Sequence, residues 1–192
     1  SLIYQLMKTI SQKLQRLTIT LALSIMAGSL SAQYVTIPDA NFAAYLDTII
    51  PSAMSGNQMD TTNVAVTTLR TISVENRNIT DLTGIQYFTS LTTLDCGNKY
   101  PSMDTNKLTS LPPLPPMLDT LICSNNLLTG LDSLHAPLVY LACYNNKLSA
   151  LPALPAGLTY LDCSGNSSLD SLPALDSSLT YLNCFDDGLL SL

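Results

Sequence analysis

A repeat of 20 residues is the feature of this sequence that most constrains how the chain can fold. Six residues of one stretch each recur 20 positions further on, as the step from Leu118 to Leu138 illustrates (138 − 118 = 20). The two copies contain Leu118, Leu121, Cys123, Asn126, Leu128, Leu131 and then Leu138, Leu141, Cys143, Asn146, Leu148, Leu151. The pattern returns at Leu158, Leu161, Cys163, Asn166, Leu172 and at Leu179, Leu182, Cys184, Leu189, Leu192. A fixed period of this length indicates a solenoid, in which each repeat packs on its neighbours.

Two less regular repeats precede these copies. The first has an arginine at the asparagine position and contains Leu69, Ile72, Val74 and Arg77. The second begins at Leu91, which lies 27 residues before Leu118 (118 − 91 = 27), and its extra residues fall within 97–105. Insertions of this kind carry function in some solenoids, and the alternative is a tolerated surface loop.

Prolines recur in the segments that connect the predicted strands. They are Pro112, Pro113, Pro115, Pro116, Pro152, Pro155 and Pro173. Because proline lacks the backbone N–H that a helix interior needs, these segments are predicted to be extended. The connection at 82–88 has no proline, so we expect a turn of helix there.

The spacing of leucine, cysteine and asparagine resembles the leucine-rich-repeat family over residues 35–192. Segments 111–118 and 151–158 are similar to a short, proline-containing repeat of some bacterial members. The strand cysteine and the sequence at 41–46 resemble secreted proteins of the Bacteroidetes type. The resemblance implies an α/β, right-handed solenoid with a parallel β-sheet on its concave face. It also implies a mostly non-helical convex side and a short helical N-terminal cap.

The first 32 residues have the pattern of a secretory signal peptide. A basic segment with Lys8, Lys13 and Arg16 precedes an apolar run at 17–30, and cleavage is predicted after Ala32. The apolar run is shorter than the roughly 20 residues that span a bilayer. Met7 is a more natural start than Ser1. The predicted organisation is therefore a signal peptide at 1–32, a cap at 33–65 and about six repeats at 66–192, the last one incomplete.

The cap is predicted to contain a short helix that covers the first repeat. Asp39 is placed to cap its N-terminus, and one apolar face is expected to consist of Phe42, Tyr45, Leu46 and Ile49. Pro51 should end the helix, and a turn is predicted at 55–57. A solenoid needs a terminal unit of this kind because its open end would expose core leucines.

Cysteine and asparagine are predicted to have structural roles. Side chains alternate along a strand, so the cysteines should point inward with the leucines, at Cys96, Cys123, Cys143, Cys163 and Cys184. Pairing between neighbouring cysteines stays open, because adjacent strands lie only about 4.8 Å apart. Asparagines should turn inward and satisfy backbone groups at the bends, at Asn106, Asn126, Asn146 and Asn166, with Asp187 at the equivalent last position.

The outward side chains of the strands are the candidate ligand-binding residues. One predicted column is Thr71, Thr93, Thr120, Tyr140, Tyr160 and Tyr181, and its neighbour is Ser73, Asp95, Ile122, Ala142, Asp162 and Asn183. The hypothesis is a contact surface at Tyr140, Tyr160, Tyr181, Asp162, Asn183, Tyr144 and Phe185. The alternative is cross-strand stacking that only stabilises the sheet.

Composition and residue placement give no indication of catalysis. Without the leader, 5 basic and 14 acidic residues leave a net charge of 5 − 14 = −9, which disfavours nucleic acid and anionic membranes as partners. The single histidine, His135, falls on the convex side, and Asp95 and Asp162 should lie roughly 14 Å apart at strand spacing. We therefore expect no enzyme activity, cofactor, metal site or membrane span after cleavage in this segment.

The sequence-based interpretation is a secreted or bacterial cell-surface protein that recognises a protein or peptide through its concave face, in a role such as adhesion or host interaction. The alternatives are a glycan-binding module, the recognition segment of a larger secreted enzyme or effector, and a purely structural role. Because the pattern stops within a repeat at Leu192, we expect the natural protein to continue.

Overall fold

A short antiparallel sheet and two helices form the cap. The computed structural model describes residues 33–99, 104–132, 134 and 137–190. The cap strands are β1 (Tyr34–Thr36), β2 (Met54–Ser55) and β3 (Gln58–Asp60). Strand β3 lies in the centre of this sheet. The helices are α1 (Ala40–Ile49) and α2 (Val64–Thr68). The helix at α1 and the turn between β2 and β3 confirm the prediction, whereas the small sheet and α2 were not predicted. The predicted signal peptide, residues 100–103 of the insertion, His135 and Leu192 lie outside the described residues.

Asp39 both caps α1 and joins the cap to the first repeat. Its Oδ1 accepts hydrogen bonds from the backbone N–H groups of Asn41 and Phe42, each at 2.9 Å. Its Oδ2 accepts from the backbone N and the Oγ1 of Thr80, at 2.8 and 2.9 Å. The helix ends at Ile49, shortly before Pro51. The predicted apolar face was wrong at Ile49, which is 36% exposed, because the chain turns there and buries Ile50 instead.

Six parallel strands, one from each repeat, form the concave sheet. They are β4 (Thr71–Ser73), β5 (Thr93–Asp95), β6 (Thr120–Ile122), β7 (Tyr140–Ala142), β8 (Tyr160–Asp162) and β9 (Tyr181–Asn183), in that order across the sheet. All neighbouring strands pair in register, so the two predicted outward columns are confirmed. Within the described connections between these strands, the helical segment is a 3₁₀ turn at Ile85–Tyr87, where proline is absent.

The core is a continuous ladder of leucine and cysteine between the sheet and the convex segments. Four of the five predicted cysteines are buried, at Cys96, Cys123, Cys143 and Cys163, and all five are unpaired. The prediction was wrong for Cys184, which is only partly buried because β9 is the edge strand. Leu182 of this strand is correspondingly 37% exposed.

The repeat that begins at Leu158 has one residue more than the two regular repeats before it (179 − 158 = 21). Two residues, rather than one, separate Asn166 from the next core leucine, which is Leu169 and is fully buried. Leu172 is partly buried and packs at the margin of the core. The extra residue therefore forms a small bulge after the strand without displacing the asparagine.

Candidate ligand-binding surface

Inward-facing asparagines hold the bends that follow four of the strands and thereby fix the outward columns. Asn146 is representative: its Oδ1 accepts from the backbone N of Leu128 at 3.0 Å, and its Nδ2 donates to the carbonyl oxygens of Cys123 and Cys143 at 3.1 and 3.0 Å. Asn106, Asn126 and Asn166 make corresponding bonds between repeats. In the last repeat, Asp187 accepts from the backbone N of Asn166 at 2.7 Å. These bonds confirm the predicted structural role.

A second column of asparagines, not predicted from the sequence, lies beside the first. Asn125 and Asn145 have left-handed backbone conformations, with φ of 56° and 51°, which asparagine tolerates better than most residues. The Nδ2 of Asn145 donates to Oδ1 of Asn125 at 2.9 Å. Gly165 and Asp186 occupy the equivalent positions, with φ of 71° and 59°. The feature of the sequence that could have indicated this column is the pair of adjacent asparagines in two consecutive repeats, at 125–126 and 145–146.

Three tyrosines on neighbouring strands form a stack on the concave face. The ring centroids of Tyr140 and Tyr160 are 4.1 Å apart, and those of Tyr160 and Tyr181 are 4.3 Å apart, with interplanar angles of 9° and 1°. The cross-strand stacking considered from the sequence is therefore present. Both ring faces of Tyr160 are covered by its neighbours, so this central ring presents its edge and its hydroxyl group outward. Burial and the adjacent tyrosine hydroxyls raise the pKa of Tyr160.

The other candidate residues lie at the two sides of the tyrosine stack. Phe185 follows the edge strand and is 80% exposed. Asp162 accepts from the backbone N and the Oγ of Ser164 at 3.2 and 2.6 Å, and Asn183 donates to the same Oγ at 3.2 Å. Asp162 and Asn183 are therefore positioned by the loop after β8. Tyr144 lies towards the opposite side, where it lines a cavity together with Tyr140.

This cavity, which we call the acidic cavity, was not predicted from the sequence. Its volume is about 260 Å³, and its lining includes Glu75, Asp95, Lys99, Ser124, Tyr140 and Tyr144. It lies where the insertion leaves β5. Asn98 closes the base of that insertion, because its Oδ1 accepts from the backbone N of Asn106 at 2.7 Å and its Nδ2 donates to the Asn106 carbonyl at 3.1 Å. The feature of the sequence that could have indicated this cavity is the insertion within 97–105.

The two carboxyl groups of the acidic cavity have opposite pKa shifts. Burial and a hydrogen bond to Glu75 raise the pKa of Asp95 to about 7. The hydrogen bond from Asp95, followed by contact with Lys99, lowers the pKa of Glu75. Lys99 Nζ lies 2.7 Å from Glu75 Oε2. Glu75 is therefore the carboxyl that ionises first as the pH rises.

The raised pKa predicts that Asp95→Asn makes the protein more stable at alkaline pH. Since folded Asp95 keeps a proton that the unfolded chain has released, its contribution is present below about pH 4 and is lost as the pH rises through about 7. After allowance for solvent screening, we expect the variant to exceed the parent protein by about 1 to 2 kcal/mol in unfolding free energy at pH 8. Urea unfolding at pH 4 and pH 8 measures this difference. A difference that is the same at both pH values contradicts the assignment.

The buried thiols and the described carboxylates offer little for catalysis or metal binding. Burial raises the pKa of Cys96, Cys123 and Cys143, which makes each a poor nucleophile. Within the described ranges, no group of three histidine, cysteine, aspartate or glutamate side chains is placed to hold a metal ion. Neither α1 nor α2, nor another helix in that part of the chain, has the length and apolarity needed to cross a bilayer.

The structure is similar to the functional domain of InlJ from Listeria monocytogenes, which is described as including a cysteine ladder. The TM-score is 0.60 at 29% sequence identity, and the match covers 85% of this chain and 36% of that one. In the present chain, buried cysteines follow four consecutive strands, and buried asparagines occur at Asn106, Asn126 and Asn166. The fold is therefore a leucine-rich-repeat solenoid. It has the α/β architecture, the parallel sheet and the sparse helix content expected from the sequence.

The chain matches only part of each of the solved structures to which it is similar. A further similarity is to YopM from Yersinia enterocolitica WA-314, with a TM-score of 0.47 and 32% identity, covering 54% of this chain and 26% of that one. This chain thus spans well under half the length of either protein. No protein-family model matches the chain, and neither does a curated protein.

Proposed function

We propose that this chain is a secreted or cell-surface leucine-rich-repeat module that recognises a protein or peptide through the C-terminal half of its concave face. The observation that carries the proposal is the stack of Tyr140, Tyr160 and Tyr181 on the concave face. Exposed aromatic groups are enriched at recognition sites, because they bury a large apolar area on binding. The described segment would act by reversible binding rather than by catalysis.

The geometry of the tyrosine stack favours a protein ligand over a glycan. A sugar ring packs best on a free aromatic face, whereas both faces of Tyr160 are covered at 4.1 and 4.3 Å. Ring edges and hydroxyl groups instead suit the mixed apolar and hydrogen-bonding surface of a peptide. Because stacking already fixes the rings, little side-chain entropy remains to be lost on binding.

The proposed secretion of the protein is supported by the signal-peptide pattern at 1–32 and by the burial of the cysteines. The basic and apolar segments before Ala32 are typical of a signal peptide. Their proposed removal would leave a chain whose thiols are mostly buried and therefore protected in an oxidising environment. N-terminal sequencing of protein exported by a bacterial host tests this point. A mature terminus near Gln33 is expected, and retention of the leader on exported protein would contradict it.

Peptide selection tests the proposed ligand class. The full chain is panned against a random peptide library and a glycan array, and the binders are then measured with variants. We expect peptide binders whose affinity falls at least about tenfold with Phe185→Ala, because truncating an aromatic anchor removes most of its buried area. The matched control is Met117→Ala, since Met117 is a 55% exposed apolar residue in the loop before β6.

Two outcomes would contradict this proposal. Selected peptides that bind Phe185→Ala and Tyr181→Ala as tightly as the parent chain would exclude the concave aromatic surface. Glycan binding that depends on Tyr160, without any peptide binding, would assign the same face to carbohydrate.

A further inference from the structure

We propose that the acidic cavity binds the ammonium group of a lysine side chain from the protein partner. This inference deepens the proposed function and rests on it, because Tyr140 belongs both to the cavity wall and to the tyrosine stack. A partner lying along the stack would therefore have a side-chain pocket beside it.

The shape and lining of the acidic cavity fit an alkylammonium chain. Ile122 and Ala142 are adjacent apolar residues in the outward column and form part of the lining. Glu75 and Asp95 contribute carboxyl groups to the same lining, and Tyr140 and Tyr144 contribute aromatic rings. A lysine side chain also has an apolar and a charged part, because four methylene groups, which can bury against apolar surface, precede its cationic tip. Aromatic rings also attract an ammonium group.

The charges in the acidic cavity leave one carboxyl without a cation of its own. Lys99 pairs with Glu75 at 2.7 Å, and its side chain is 74% exposed. Among the described residues, the salt bridge at the cavity is therefore made by Glu75 and not by Asp95. At pH 8 the Asp95 carboxyl group is mostly ionised, and an entering ammonium would supply a direct countercharge for it.

An unsatisfied hydroxyl group provides the independent observation. Ser124 is 1% exposed and lines the acidic cavity, and its Oγ has no hydrogen-bond partner among the described residues. Cys123 points into the core, so strand alternation directs the next side chain to the outward side. Buried hydroxyl groups are normally hydrogen-bonded. Together, Ser124 Oγ and the carboxylate oxygens provide acceptors for the three N–H groups of an ammonium.

The direct test is a titration of the full chain at pH 8 with Nα-acetyl-lysine methylamide, followed by NMR. The norleucine analogue, which has the apolar chain but lacks the ammonium, serves as the ligand control. We expect saturable binding of the lysine derivative only, and binding at least about tenfold weaker to Asp95→Asn, because a buried charge pair loses one partner. Asp47→Asn is the matched protein control, since Asp47 is exposed in α1 and does not line the cavity. Equal binding to both variants, or equal binding of the norleucine analogue, would overturn the proposal.

Ser124→Ala separates a ligand-binding role from a structural one. Removing a hydroxyl that lacks a partner should leave the melting temperature unchanged or raise it, while lysine binding weakens by roughly threefold to tenfold. A lower melting temperature with unchanged binding would show that Ser124 is structural. Putrescine serves as a further test ligand, because it has an alkylammonium group like that of lysine but no peptide backbone. Binding of putrescine at least about tenfold tighter than the lysine derivative would reassign the cavity to a free diamine.

The outcome also distinguishes this proposal from the proposed function. Phe185→Ala should not affect the lysine derivative, because Phe185 is not part of the cavity lining. Lysine binding without a concave peptide site would refute the proposed function alone, whereas peptide binding that is insensitive to Asp95→Asn would refute the cavity alone.

Discussion

Replacing Asn166 with alanine is expected to lower the free energy of unfolding by about 2 to 4 kcal/mol, because several buried backbone groups lose their partner at once. The side chain is fully buried. Its Oδ1 accepts from the backbone N of Leu148 at 3.0 Å, and its Nδ2 donates to the carbonyl oxygens of Cys143 and Cys163 at 3.2 and 2.6 Å. Alanine cannot reach these groups, and water cannot replace the amide without opening the repeat.

Urea unfolding at neutral pH measures this loss, and Asn57→Ala is the matched control. Asn57 is exposed in the turn between β2 and β3, so its replacement should change stability by no more than about 0.5 kcal/mol. Similar losses in the two variants would mean that the asparagines do not hold the bends of the solenoid.

Replacing Gly84 with alanine is expected to cost about 2 to 4 kcal/mol, since backbone strain and a steric conflict add. Gly84 has a φ of 112°, a conformation that residues with a Cβ rarely adopt. A Cβ at this position would also collide with Cδ1 of Ile37, a fully buried residue of the cap. The substitution should therefore weaken the contact between the cap and the first repeat.

Alanine substitutions at two other glycines separate the cost of backbone strain from the cost of the steric conflict. Gly56 has a φ of 60° and open space around its Cα, so alanine there should cost only the backbone strain of about 1 kcal/mol. Gly130 also has open space and no positive φ, and its replacement should be nearly neutral. Thermal unfolding of the three variants gives the comparison. A Gly84→Ala variant as stable as Gly130→Ala would show that the cap does not pack on Gly84.

The regular part of the fold could be predicted because each position of the repeat has one physical role. Leucine and cysteine two residues apart fix which side of a strand is buried, as Leu141 and Cys143 illustrate. The outward columns and their register followed directly. The prediction of burial failed where a strand has a neighbour on one side only, and it was incomplete where the spacing changes. Cys184 is only partly buried because it follows the edge strand, and Leu169, which one additional residue places in the core, was not among the predicted core positions.

The acidic cavity could not be predicted because it depends on contacts between irregular repeats. Glu75, Asp95 and Ser124 follow or end three different strands, and the steps between those strands differ from the 20-residue period. The orientation of the tyrosine rings depends on side-chain rotamers, which the repeat pattern does not encode. The cap sheet was missed because its strands contain only two or three residues.

Fluorine NMR of the chain labelled with 3-fluorotyrosine would test the proposed binding surface most directly. Tyrosines occur both in the C-terminal half of the concave face and in the cap and first repeat. The same spectrum therefore contains signals that should respond to the peptide and signals that serve as the control. A selected peptide should shift the signals of Tyr140, Tyr160 and Tyr181 in the tyrosine stack. It should leave those of Tyr34, Tyr45 and Tyr87, in the cap and first repeat, unchanged. Shifts confined to Tyr34, Tyr45 and Tyr87 would contradict recognition by the C-terminal half of the concave face.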